Sequence, residues 1–521
     1  MMANQSIQQL LEGLENDLPR SALIREKVPA LAAAFDAGRM KPILQELLLG
    51  PEEGRYAIVE CIPGKALFLL DHTINMQYKL KIGDNSSGEM IHTLVNARLF
   101  QDAAASRAFL DEALMPIAAR MAGRPEIEPF VSPVVIIKDL NMTISVYPID
   151  GLIPTLVDAT DPGKVASLLA ETLPEVLSGT FSIQELHQFL AHYGRYKRCV
   201  LRYDIDGMQT ETGTPQQVTV YGKVDAEGLG GATVDIIYAL RERLSEPEVP
   251  YRFRIPHALG FFPELQLLLM EALPGKPFFK PLLKAWTDRN NRQMVGNEGY
   301  PSQQEEADLE KAIQTCALIA VTLHGSDISL GPRTSLELQV EKLLEETEVL
   351  SHVLPEVGAQ VKSWIDQTLE FAQAYPAMPA RFSHGDFTYT QLIFDGKNGG
   401  LVDFDTMCQA EPAQDLGHYL AYQRLNIIKD QDPNFPFAPE TIEHLCAIFL
   451  DTYIETAAAW IPDEALLRGR VAIYELISLI RLTLHSWEKM KASRLKQTMT
   501  LLEERIECQK QISLSLKNKT S

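Results

Sequence analysis

The chain has 521 residues, 46% hydrophobic and 22% charged, an ordinary globular composition that is too long for one core, so about three compact units are expected. Lys plus Arg total 48 and Asp plus Glu 69, a formal charge of 48 − 69 = −21, which argues against a nucleic acid or an anionic membrane as partner because both require a basic face. The six cysteines (Cys61, Cys199, Cys316, Cys408, Cys446, Cys508) are far apart and form no Cys-x-x-Cys pair, which points away from a zinc site or a disulfide framework.

Leu10, Leu11, Leu14 and Leu18 among acids predict an amphipathic helix rather than a signal peptide. No apolar run approaches the roughly 20 residues that span a bilayer. A reducing, cytoplasmic location is expected. Residues 1–55 read as a helical segment, with apolar spacing at 22–26, 30–35 and 42–49. From Tyr56 to Leu80 the pattern is strand-like. Gly83-Asp-Asn-Ser-Ser-Gly88 is a turn signal between Tyr78–Ile82 and Thr93–Arg98. A helix is predicted over 103–120, followed by strands at 134–137 and from Thr143 towards Gly151.

The next section repeats this order. Cys199–Ile205 and Val218–Val224 read as strands flanking a polar turn, 232–244 as a helix, and 265–273 as a strand ending in Pro274-Gly275. Arg98 to Lys223 is 223 − 98 = 125 residues, and Gly151 to Gly275 is 275 − 151 = 124. These offsets suggest an internal duplication in which Arg98 stands where the second copy has Lys223. The plainer reading, a chance match between two common hairpin–helix–strand units, stands beside it. Lys280–Glu306 is polar and rich in Asn and Gln, as in an exposed insertion. Beyond it helices are predicted at 311–324, 336–350, 361–375, 415–424, 442–459 and 466–507.

One stretch interrupts the helices. It runs Arg381-Phe-Ser-His384-Gly385-Asp386 through Gln391 to Asp395, then Gly400-Leu-Val-Asp403-Phe404-Asp405. Asp386, on a short polar loop, is a candidate to orient an alcohol and accept its proton in phosphoryl transfer. An Asp capping a turn is the plainer use of Gly-Asp. The Gln391 amide is a candidate oxygen ligand for magnesium. Asp403 and Asp405, two residues apart, point the same way if the segment is extended, and two such carboxylates invite a cation between them.

Lys223 ends a β-branched strand and is a candidate to grip nucleotide phosphates, with Asp235 as its candidate carboxylate partner and Glu227 as a rival. Met270, Glu271 and Leu273 end an apolar strand whose backbone is placed to meet an adenine edge. Lys223 also fits an ordinary surface strand end, and the 270–273 segment a buried strand leading into a turn. His384 reads as a brace for its loop. Asp415 reads as a helix N-cap or a brace, and His324 as a partner for a helix C-terminus. No Gly-x-Gly-x-x-Gly or P-loop motif is present.

The segments His384-Gly-Asp386…Gln391, Leu401-Val-Asp403-Phe-Asp405 and Glu411-Pro-Ala-Gln-Asp415-Leu-Gly resemble the aminoglycoside phosphotransferase / choline kinase-like superfamily of small-molecule kinases. Tyr221-Gly-Lys223 and Leu267–Gly275 look like that family's lysine strand and hinge. The resemblance spans roughly 195–500. It implies an α+β, bilobal protein-kinase-like fold with ATP (or GTP) and Mg2+ as cofactors. Asp386 would be the catalytic base, and Gln391 and Asp403 would hold magnesium.

Gln391 stands where the family usually has Asn, although maltokinase-like members also look like His-Gly-Asp with Gln there, and the usual helix Glu partner for the lysine is not evident. The implied layout is a helical segment 1–55, an α+β cap at 56–190 that reads as a degenerate N-lobe copy, an N-lobe at 191–275 and a helical C-lobe at 276–515. The expected activity is phosphoryl transfer to a hydroxyl of a small polar acceptor, a sugar among the candidates. The alternative is a nucleotide-binding pseudokinase or regulatory module.

Overall fold

A computed structural model describes residues 22–194, 197–275, 303–394, 398–430, 439–461 and 463–520. The amphipathic helix expected around Leu10–Leu18 and most of the polar insertion expected at 280–306 lie outside the described residues. The chain is α+β, as expected. It divides into two compact units, one of 1–231, 258–271 and 486–492, the other of 232–257, 272–485 and 493–521.

The first unit holds two five-stranded antiparallel sheets. One comprises β1 (Tyr56–Phe68), β2 (Ile74–Asp84), β3 (Met90–Leu99), β4 (Val134–Ile137) and β5 (Met142–Val146), in the order β1-β2-β3-β5-β4. The other comprises β6 (Phe181–Tyr193), β7 (Arg198–Gln209), β8 (Pro215–Asp225), β9 (Ala258–Phe262) and β10 (Leu267–Glu271), in the order β6-β7-β8-β10-β9. Order and register both repeat. Tyr56 pairs with Asp84 and Phe181 with Gln209; Asn75 pairs with Arg98 and Val200 with Lys223; Arg98 pairs with Thr143 and Lys223 with Leu268. Each correspondence is an offset of 125, as in 181 − 56, 209 − 84 and 268 − 143. A bulge falls at Ile58/Glu60 in β1 and at Ile183/Glu185 in β6, the same offset again. Bulges bend a strand at one residue, so a shared bulge position is a stronger mark of repetition than a shared element order.

The strand β6 was not legible in the sequence, and the expected boundary between 190 and 191 falls inside it. It is a half-exposed edge strand, so it lacks the apolar alternation that announces a half-buried one. Its sheet covers a core of Leu201, Tyr203, Val220, Val224, Leu267 and Leu269 shared with Val165 and Leu169 of the helix Pro162–Thr172. The first sheet shows what became of the position matching Lys223. The Arg98 guanidinium donates to Asp71 at 2.5 Å and to Thr73 at 3.2 Å, and lies over the rings of Phe100 and Phe109. It is locked in a local ion pair.

The second unit is mostly helical. Its helices include most of Gly230–Ser245, then Gln303–His324, Leu336–Val353, Pro355–Ala372, Pro412–Asp430, Pro439–Ala457, Glu464–Glu488 and Ala492–Thr520. Two short ribbons interrupt them, Arg381–Ser383 with Cys408–Ala410 and Leu392–Phe394 with Gly399–Leu401. The single helix expected at 466–507 is broken. Met490 takes a left-handed φ of 52°, its N–H donates to Trp487 O at 2.7 Å, and Lys491 N–H donates to Ser486 O at 2.9 Å. This pair of bonds is the Schellman closure, which usually employs Gly or Asn at the left-handed position; a Met there leaves no sequence signal for the break.

The helices Pro412–Asp430 and Glu464–Glu488 cross at Gly417, where an added Cβ would lie 2.5 Å from Glu475 N and 2.8 Å from Val471 O. Glycine permits that approach. All six cysteines are free, and among the described residues no helix is long and apolar enough to cross a membrane.

Candidate active site

The strand Arg381–Ser383 delivers the chain into His384-Gly385-Asp386. Gly385 has φ +81°, and a Cβ on it would lie 2.2 Å from Thr406 O; only glycine meets both conditions. Thr406 Oγ1 donates to His384 O at 2.8 Å, tying this turn to the one after Asp403. From below, Asp415 accepts the N–H groups of His384 at 2.6 Å and Gly385 at 2.8 Å.

Asp415 is therefore a brace for the loop. His324, expected to partner a helix terminus, instead faces Asp415 with Nε2 at 3.1 Å and Tyr453 OH with Nδ1 at 2.8 Å. His324, His384 and Asp415 are fully buried. Burial pushes the Asp415 carboxyl up, but the hydrogen bond and charge of His324, joined by His384, outweigh it and hold the group below the ordinary carboxylate range. His384 braces the loop as expected, with Nε2 3.3 Å from Val402 O and its ring beside Phe387 and Phe404.

Asp386 is partly exposed and points one oxygen at His418, where Nε2 lies 2.8 Å from Oδ1. The other ring nitrogen, Nδ1, is 3.1 Å from Ser478 Oγ on the neighbouring helix. Burial raises the Asp386 carboxyl, but the His418 hydrogen bond and the charges of His418, His384 and Arg481 overcome it, and the group sits well below the ordinary range. The Gln391 amide nitrogen is 3.3 Å from Asp386 Oδ2 and 3.4 Å from Asp403 Oδ2. One amide thus joins both carboxylates.

Asp403 has φ 68° and ψ 70°, a left-handed conformation that costs energy for any residue but glycine and collects at functional sites. This corrects the extended reading of 403–405. Phe404–Thr406 is a 3-10 turn, so two-residue alternation does not apply, and buried Phe404 anchors the turn. Hydrogen bonds join Asp386, Gln391 and Asp403; Asp405 lies on the turn beyond them.

Lys223 is buried in β8 between Val200 and Leu268, whereas Asp235 is exposed on the helix Gly230–Ser245. Met270 and Glu271 end β10 opposite Tyr221 and Val220. Past them, Leu273 Cδ2 approaches Gly400 so closely that a Cβ there would meet it at 2.5 Å, and Gly275 (φ +126°) lies against Phe394 O. The hinge-like segment therefore runs along the ribbon that leads into Asp403.

His418, Ser478 and Arg481 were missed by sequence reasoning. The spacing Asp415, His418, Tyr422 (i, i+3, i+7) did place three polar side chains on one face of a predicted helix, a signal that could have found His418. Among the described residues no three His, Cys, Asp or Glu side chains cluster as a metal site. The set of two carboxylates and one amide nonetheless suits magnesium, which takes oxygen donors, uses one or two carboxylates and completes its shell with water and phosphate, provided the Gln391 amide turns its oxygen to the ion in place of the nitrogen that here meets both carboxylates.

Residues 236–436 match the model of the phosphotransferase enzyme family, APH. The matched segment is 436 − 236 + 1 = 201 of the 521 residues. It contains Asp386, Gln391, Asp403, Asp415 and His418, and begins after Lys223. The superfamily that the motifs resemble is the one matched. Similar solved structures include a choline kinase from Cryptosporidium parvum Iowa II (15% identity, 68% of this chain and 96% of that chain, TM-score 0.42). They also include wild-type aminoglycoside 2'-phosphotransferase-IIIa in its GDP complex (12%, 67% and 99%, 0.40) and a choline/ethanolamine kinase family protein from Mesorhizobium loti (14%, 67% and 98%, 0.40). A search of curated proteins returned no match.

Proposed function

We propose that this protein transfers the terminal phosphoryl group of ATP (or GTP) to a hydroxyl of a small polar molecule, a sugar among the candidates, with magnesium as cofactor. The observation that carries this reading is the Gln391 amide within reach of both Asp386 and Asp403, on a loop whose glycine and buried carboxylate brace hold it in place.

Asp403 and Gln391 would hold magnesium, with Asp405 on the adjoining turn as a further candidate ligand. Magnesium, when bound, neutralises charge on the phosphates and keeps them in line for transfer. Lys223 would neutralise phosphate from its strand, with Asp235 as candidate partner. The backbone of Met270, Glu271 and Leu273 would meet the base. Asp386 orients the acceptor hydroxyl through the oxygen not taken by His418. Its depressed pKa makes it a weak base, so it takes the hydroxyl proton late, which suits a loose phosphoryl-transfer transition state.

Replacing Asp386 with Asn should abolish acceptor-dependent ATP consumption while leaving nucleotide binding intact. Wild-type turnover in Asp386→Asn would sink the assignment. A pseudokinase remains the rival, favoured by the exposure of Asp235. Thermal denaturation with ATP, with and without magnesium, separates the two, because a ligand that binds only the native state raises its stability; absence of a magnesium-dependent shift would favour the rival.

The sheet over 56–146 fits a degenerate copy of the nucleotide-binding sheet, its Lys223 position converted to the Arg98–Asp71 pair. The six free cysteines support a reducing, cytoplasmic setting.

A further inference from the structure

Three helices converge beside Asp386: Pro412–Asp430, Glu464–Glu488 and Ala492–Thr520. Their arginines fall into two groups. Arg424 pairs with Glu475 at 2.7 Å and with Glu443. Arg468 pairs with Asp451 and Glu464, Arg470 with Glu411, and Arg505 with Glu443 and Glu475. Arg481 and Arg494 are the remaining two, and among the described residues neither has a carboxylate partner. On the helices beside Asp386, these are the two guanidinium charges left available to a ligand.

Both lie at the site. Arg481 is one helical turn beyond Ser478, the residue that meets His418, and its field acts on Asp386. Its Nη2 is steadied by Gln339 Oε1 at 2.9 Å, and Gln339 is in turn held by Gln414 at 2.6 Å. That single neutral bond orients the guanidinium and leaves most of its five donors for another acceptor. Arg494 lies 5.9 Å over the ring of Tyr422, and Tyr422 packs on His418 with centroids 4.8 Å apart. Tyr422 also interacts with Asp386, Arg481 and Arg494 together. The nearby carboxylate, Asp386, is already engaged by His418 and Gln391.

We propose that the acceptor carries an anionic group, a carboxylate or a phosphate, near the hydroxyl that receives the phosphoryl group, and that Arg481 and Arg494 recognise it. Planar guanidinium forks suit both anions. A cationic acceptor would meet two guanidinium charges there. This inference rests on the phosphotransferase reading of the same site.

The test is ADP release by the full-length protein with ATP and Mg2+, using two series matched in size and differing in charge. One is glucose, glucosamine, gluconate and glucose 6-phosphate; the other is glycerol, serinol, glycerate and glycerol 3-phosphate. Turnover should be confined to anionic members, and comparison of the acid with the phosphate ester tells which anion is read. Arg481→Gln and the more peripheral Arg494→Gln should each raise the acceptor KM about 10–100-fold, the loss expected for a charge-assisted hydrogen bond, while the KM for ATP stays unchanged.

The highest kcat/KM on a neutral or cationic member, or acceptor kinetics indifferent to both substitutions, overturns the proposal and leaves phosphoryl transfer standing. No turnover with any member, in a protein still stabilised by ATP and magnesium, overturns the proposal alone. Loss of that stabilisation as well removes the phosphotransferase reading with it.

Discussion

His418 Nε2 lies 2.8 Å from Asp386 Oδ1, and the opposite face of the same ring meets Ser478 Oγ at 3.1 Å. Nε2–H donates to the carboxylate and Nδ1 meets the Ser478 hydroxyl, so the two partners together fix the orientation of the ring. His418 is a positioning residue: it sets the rotamer of Asp386 and stabilises its ionised form. His418→Gln should lower kcat roughly 10–100-fold, the scale of a modest misplacement at a reacting group, with the KM for ATP unchanged. The pH profile distinguishes this role from a merely structural one. Because Asp386 lies below its ordinary value of 3.8, the wild type should show no acid limb from this group above about pH 4. Without His418, burial is less opposed, the pKa rises, and an ascending limb should enter the measurable range. Identical profiles in both proteins would contradict the assignment.

Gly385→Ala should be damaging in a way that Gly88→Ala is not. Both glycines have left-handed φ, +81° and +78°, but Gly88 has open space around its missing Cβ, whereas at Gly385 the Cβ meets Thr406 O at 2.2 Å. Gly88→Ala therefore carries only the backbone term, about 1–2 kcal/mol. Gly385→Ala adds a clash with main chain that cannot yield without displacing the turn after Asp403. Melting temperatures of the two variants, with and without ATP, should show the larger drop and the loss of nucleotide stabilisation at Gly385 alone.

Glu411 receives both ends of the Arg470 guanidinium, the Met378 N–H at 3.0 Å and the Tyr474 hydroxyl at 2.9 Å, and the ion pair is almost wholly buried. Arg470→Met strands a buried carboxylate and should cost about 3–5 kcal/mol. Adding Glu411→Gln removes that stranded charge while keeping one acceptor oxygen, for either the Met378 N–H or the Tyr474 hydroxyl. The double variant should therefore regain part of the loss. Chemical denaturation of the single and double variants measures this, and a double variant worse than Arg470→Met would refute the account.

Asp415 should dominate part of the acid stability. Its folded-state pKa is depressed, so its contribution is fully present above the ordinary value of 3.8 and is lost as pH falls towards the folded-state value. Asp415→Asn removes that contribution at every pH, and places an amide where two backbone N–H groups need an acceptor. Between about pH 6 and pH 3 the variant's melting temperature should fall less steeply than that of the wild type, from a lower starting point. Parallel curves would exclude Asp415 as the titrating group.

The sequence by itself carried the chemistry that is local. Asp386, Gln391, Asp403 and the glycine between His384 and Asp386 lie within one short stretch, and turn propensity with short apolar strands suffices to draw such neighbours together. It also carried the offset of 125 between Arg98 and Lys223, because β-branched strands and turn residues leave a linear trace.

Other features needed the folded chain. His418 is 32 residues from Asp386 and 60 from Ser478, and they meet because Gly417 lets two helices cross closely. The left-handed Asp403, the helix break at Met490 and the edge strand β6 have no characteristic residue to announce them. Arg481 is indistinguishable by type from Arg470. Tertiary packing decided that one would be spent on Glu411 and the other bonded to the neutral Gln339, because an ion pair depends on which carboxylate is within a few ångströms, a distance that composition and spacing along the chain do not contain.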